Sequence, residues 1–125
     1  MSSETYRLVS QRNEAGEYCF DVDMPDSLRL YDLEFYARFD GVKDTSSHFS
    51  DIIVKLISPS ENDIYLDSLK VNLSPNIPDG YFSASNHIPY RSGLKPVEFG
   101  LWKMRVNVVK QPEGMTGLGL ICKRR

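Results

Sequence analysis

Apolar and polar side chains alternate along most of this chain. Tyr31, Leu33, Phe35, Ala37 and Phe39 interleave with Asp32, Glu34, Tyr36 and Arg38. Successive side chains of a strand point to opposite faces, so this register predicts a β-strand with one face in a core. Tyr18, Phe20, Val22 and Met24 alternate with Cys19, Asp21 and Asp23 in the same way, and Pro25-Asp26-Ser27 then reads as a turn. Trp102, Met104, Val106 and Val108 alternate with Lys103, Arg105 and Asn107. Gln111-Pro112-Glu113-Gly114 is the next turn, and Leu118, Leu120 and Cys122 share the inward register of a last strand.

The middle of the chain is less regular. Asp51 to Ile57 is rich in Ile, Val and Leu and predicts a well-buried strand. Ser58 to Asp63 supplies strong turn chemistry, and Ile64 to Leu73 reads as one strand or two short ones. Pro75, Pro78, Pro89 and Pro96 punctuate residues 74–96, which are expected to form an irregular connection with one short strand over 88–91. Residues 40–50 are polar and are expected to form a loop; Tyr6 to Ser10 reads as an edge strand. No window carries helical periodicity over three turns. The predicted fold is therefore all-β: one β-sandwich domain over residues 1–125, of jelly-roll or immunoglobulin-like type, with about seven or eight strands. Phe35 and Trp102 should lie between its layers.

Composition narrows the function classes. A chain of 125 residues fits one domain with a core of its own. Fifteen basic against seventeen acidic residues leave a net charge of −2, which argues against nucleic acid as a partner. Lys123-Arg124-Arg125 reads as a solvated tail. No apolar run approaches the roughly 18 residues that span a bilayer, and Ser2-Ser3-Glu4-Thr5 does not resemble a secretory signal. The two cysteines fall in opposite registers, Cys19 outward and Cys122 inward, which predicts two free thiols.

The chemistry of catalysis is hard to find in the chain. There is no Gly-x-Ser-x-Gly elbow, Cys-x-x-Cys pair, His-Glu-x-x-His helix or Gly-rich phosphate loop. His48 and His87 are expected alone in loops. Asp21, Asp23 and Asp26, and again Asp40, Asp44 and Asp51, cluster in sequence without an EF-hand pattern; they read as wet strand faces and turns, with no metal and no cofactor. Asn72-Leu73-Ser74 matches a glycosylation triplet of the kind common by chance. Aromatic residues offer the candidate contacts. Tyr36 and Tyr65 are expected to point outward, and Tyr81, Phe82 and Tyr90 to lie in the irregular connection. There they could pin the loop to the sandwich, stack on a sugar or anchor a partner.

Two resemblances add to this reading. The segment Tyr18-Cys19-Phe20-Asp21-Val22-Asp23, the strand from Leu30 to Phe39, the run Gly100-Leu101-Trp102-Lys103-Met104-Arg105-Val106 and the closing Gly117-Leu118-Gly119-Leu120 together resemble the gliding-motility lipoprotein H family. That resemblance implies a small envelope β-sandwich of Gram-negative gliding bacteria and their relatives, in the periplasm or at the outer membrane. It would touch a membrane only through a lipid anchor outside these residues and be linked to motility and secretion machinery. Asp51 to Ser60, with Gly100 to Val106, is similar to the jelly-roll P-domain that follows subtilisin-like proteases. The expected function is thus a non-catalytic envelope domain acting through an unknown protein partner, with Tyr81, Phe82, Tyr90 and Tyr36 as candidate contacts. The alternatives are a module binding carbohydrate or another ligand, and a cytoplasmic location; an enzyme with two carboxylates meeting only in space is a third and weaker reading.

Overall fold

The computed structural model describes residues 3–25, 29–40, 48–74 and 83–125. Eight strands follow in chain order: β1 (Ser3–Val9), β2 (Tyr18–Met24), β3 (Tyr31–Asp40), β4 (Phe49–Ile57), β5 (Ile64–Asn72), β6 (Ser83–Leu94), β7 (Gly100–Val108) and β8 (Met115–Arg124). They form two antiparallel sheets, β1-β8-β3-β6 and β2-β7-β4-β5. The first strand pairs with the last, the second with the seventh, the third with the sixth and the fourth with the fifth. This nesting is the strand order of a jelly roll, and it decides between the two expected sandwich types.

The alternating registers land where the sequence predicts. Tyr31, Leu33, Phe35, Ala37 and Phe39 are all buried, as are Tyr18, Phe20, Val22 and Met24. Trp102, Met104, Val106 and Val108 of β7 lie beside the β2 residues in one sheet and face the β3 residues of the other, where Leu118 and Leu120 flank β3. Burying each large side chain contributes about 1.5–3 kcal/mol before the entropy of ordering is counted. Their polar handles are satisfied: Trp102 Nε1 donates to the Glu98 carbonyl at 2.8 Å, and the Tyr18 hydroxyl donates to Gln111 Oε1 at 2.7 Å. Cys19 on β2 is exposed, Cys122 on β8 is buried, and both thiols are free, as their registers predict.

Four expectations need correction. β4 is covered on one side only: Ile52, Val54 and Leu56 are buried while Ile53 is exposed. Antiparallel sandwich strands meet the core with a single face, so an apolar run here is not a doubly buried one. Residues 74–96 are not irregular throughout, because β6 occupies twelve of them. β6 is an edge strand, where the missing Pro89 N–H need not interrupt a ladder, and two register shifts against β3 absorb its irregular residues. Gly93, at φ +65°, lies in the second of these shifts. Residues 40–50 are strand at both ends: Asp40 closes β3, and Phe49 and Ser50 open β4. Residues 41–47 and 75–82 lie outside the described residues, as do Asp26 and Ser27 of the expected turn. Tyr65 points inward, stacked on Trp102 at 5.9 Å between ring centroids.

Candidate functional site

The candidate contacts divide three ways. Tyr81 and Phe82 lie outside the described residues. Tyr90 is closed. The register opposes Glu34 to Pro89 and Leu33 to Arg91, leaving Tyr90 unpaired as a bulge. A bulge turns successive side chains to one side, and here Tyr90 and Arg91 both reach Asp67 on β5. The Tyr90 hydroxyl donates to Asp67 Oδ2 at 2.5 Å, and Arg91 Nη2 donates to the same oxygen at 2.7 Å. Burial, helped by the Asp67 hydrogen bond, pushes the Tyr90 phenol up to about 12. Burial also opposes the charge on Asp67, but the Tyr90 and Arg91 hydrogen bonds outweigh it and hold the carboxyl below its ordinary value.

Tyr36 is the third case. Its ring lies on Gly119 of β8, where any Cβ would fall inside the ring. It stacks on His87 at 6.1 Å, and His87 Nδ1 is 3.1 Å from Glu34 Oε1. His87 is therefore a strand residue of β6, not a loop residue. His48 precedes β4, with Nε2 at 2.9 Å from the Lys110 carbonyl.

The two outer faces differ in how their charges are settled. On β1-β8-β3-β6, Asp32 takes both Nε and Nη2 of Arg125, Glu34 meets His87, and Arg38 meets Asp40. Arg125 is thus bound rather than a free tail residue. On β2-β7-β4-β5, Lys55 of β4 and Arg105 of β7 occupy directly paired positions. Neither makes an ion pair among the described residues; Arg105 reaches only the Cys19 sulfur, at 3.3 Å. Ile53, Ile64 and Leu66 flank Lys55 on the β4 and β5 side, with Leu66 70% exposed, while Arg105 has Cys19 of β2 as its other cross-strand neighbour.

The sandwich also has two open sides, where the edge strands of one sheet face those of the other. The β5/β6 side is bridged by the hydrogen bonds from Tyr90 and Arg91 to Asp67. The β1/β2 side holds a cleft of about 250 Å³. Thr5 and Arg7 of β1, Asp21 and Asp23 of β2, and Cys122 and Arg124 of β8 line it. Among the described residues the side chains of Arg7, Arg124, Asp21 and Asp23 make no hydrogen bond or ion pair, and the buried Nε of Arg124 has no partner. Burial, with the Asp23 charge adding to it, pushes the Cys122 thiol up to about 11. Sequence reading missed this cleft. The available signal was an arginine in the inward register of β8, two positions beyond Cys122, where every other inward residue named is apolar. Among the described residues no group of three or more His, Cys, Asp and Glu could hold a metal ion.

No family model and no curated protein matches the chain. Among solved structures, it is similar to the enzymatically active domain of tailspike protein 4 from bacteriophage CBA120, at 13% identity and a TM-score of 0.37. The match covers 98% of this chain and 19% of that one, so the chain spans about a fifth of the tailspike structure's length.

Proposed function

We propose that this jelly roll is a non-catalytic binding domain that works through protein contacts on the outer face of β2-β7-β4-β5. One observation supports it above the others: Lys55 and Arg105 oppose each other without an ion-pair partner among the described residues, beside exposed Ile53, Ile64 and Leu66 on β4 and β5. Like charges at directly paired positions cost a sheet stability. A partner carboxylate placed between them converts repulsion into two charge-assisted contacts, while its apolar flanks cover the isoleucines and Leu66. The partner's matching surface is an acidic side chain set among apolar ones. On this reading the setting is the cell envelope, as the likeness to gliding-motility lipoproteins implies. The carbohydrate alternative draws less support, because Tyr36 and Tyr90 are both engaged within the fold.

A photocrosslinking residue at position 66, in cells that naturally make the protein, tests this. The expected result is one protein adduct at 66, none at position 38 on the opposite face, and loss of the adduct when Lys55 and Arg105 both become Glu. Equal adducts at both positions, insensitivity to the charge reversal, or adducts with lipid alone would overturn it.

A further inference from the structure

The open side of the sandwich offers a second and separate site. Arg7 and Arg124 line one cleft with Asp21 and Asp23, yet no guanidinium comes within ion-pair distance of either carboxylate. On the opposite side of the same sandwich, a tyrosine and an arginine of one sheet reach an aspartate of the other and bridge the gap. The difference is a gap about 250 Å³ in size with cations and carboxylates on its walls. A buried polar nitrogen without a partner is costly, and Arg124 Nε is one. Val22, Leu101 and Leu120 give the same cleft an apolar wall.

We infer that this cleft binds a free α-amino acid with an apolar side chain. Its carboxylate bridges Arg7 and Arg124, its ammonium meets Asp21 and Asp23, and its side chain lies on Val22, Leu101 and Leu120. A ligand carrying both charges satisfies every unpaired group at once, whereas a simple anion would face two carboxylates and a simple cation two guanidiniums. The volume suits a molecule of this size rather than a peptide or an oligosaccharide.

Amide chemical shifts of the isotopically labelled protein, titrated with L-leucine, N-acetyl-L-leucine and L-leucine methyl ester, test the inference. L-Leucine should shift Thr5, Val22 and Cys122. Each single-charge analogue should bind at least about tenfold more weakly, the effect of losing one charge-assisted contact. Arg124→Gln and, separately, Arg7→Gln should each weaken L-leucine by a similar factor. Arg7 is exposed on an edge strand, so its variant keeps the test valid should the Arg124 variant fail to fold. Equal binding of all three ligands, no binding at millimolar concentration, or affinity unchanged in the Arg7 variant would overturn the inference. Slower alkylation of Cys122 in the presence of L-leucine gives an independent readout at the cleft.

Discussion

The hydroxyl of Tyr90 and the carboxylate of Asp67 join the two sheets at their β6 and β5 edges through a 2.5 Å hydrogen bond. The bulge at Tyr90 makes the contact geometrically available, and the Phe35 ring, 5.3 Å away between centroids, holds the phenol in place. Replacing Tyr90 with Phe keeps the ring and deletes the donor. The expected loss is about 1–2 kcal/mol in urea unfolding, because the remaining contact from Arg91 keeps Asp67 paired. Asp67→Leu should cost more, since it leaves a phenol and a guanidinium unmatched together.

Acid should weaken this fold through two carboxylates. Asp67 is held below its ordinary value of 3.8 once burial is outweighed by Tyr90 and Arg91. Asp32 is held below the same value first by Arg125 and next by the Gly93 amide. A carboxyl lowered in the folded state binds its proton more readily in the unfolded chain. Its contribution is therefore complete above the unfolded value, near 4, and disappears as pH falls through the lower folded value. The stability gap between the native protein and Asp67→Asn, measured by denaturant titration, should be constant from pH 6 to 5 and close below pH 4.

Gly119 should resist any side chain while Tyr36 is present. A methyl there meets the phenol ring, which must swing out of its stack with His87. Gly119→Ala is expected to destabilise by about 1–3 kcal/mol. In a Tyr36→Ala background the same change should be nearly neutral or favourable, so a double-mutant cycle should return a large coupling energy.

The like-charge pair on the outer face separates stability from binding. Lys55→Glu turns the repulsion with Arg105 into attraction and should raise stability by roughly 0.2–1 kcal/mol. The same change should abolish the crosslink at position 66. A stabilising substitution that removes the contact would mark Lys55 as retained for its partner.

The two thiols should titrate apart. Cys19 is exposed, whereas Cys122 is buried and its thiol pushed up to about 11. At pH 8 on the order of one Cys122 in a thousand is thiolate. Ellman's reagent should find one reactive thiol in the native protein and two after denaturation without reductant.

The faces of β2, β3, β7 and β8 were legible from residue order alone. Whether Phe35 or Glu34 enters a core depends on the parity of its own strand, and apolar spacing records that parity locally. β6 was hidden because Pro89 and Gly93 usually end strands, and only its place at a sheet edge makes them tolerable. Tyr65 was misread because its strand alternates two sets of mixed polarity: Tyr65, Asp67, Leu69 and Val71 on one face, Ile64, Leu66, Ser68 and Lys70 on the other. Nothing local shows which set a core will cover.

What the chain determined by itself is a set of one-sided β-strands with large aromatic side chains facing inward. Only the tertiary structure decided that Lys55 faces Arg105, that Tyr90 reaches Asp67, and that Arg7 and Arg124 share a cleft with Asp21 and Asp23. Each of these depends on pairings between residues tens of positions apart. Such pairings arise from the order in which strands join, and alternation within a strand carries no record of which neighbour that will be.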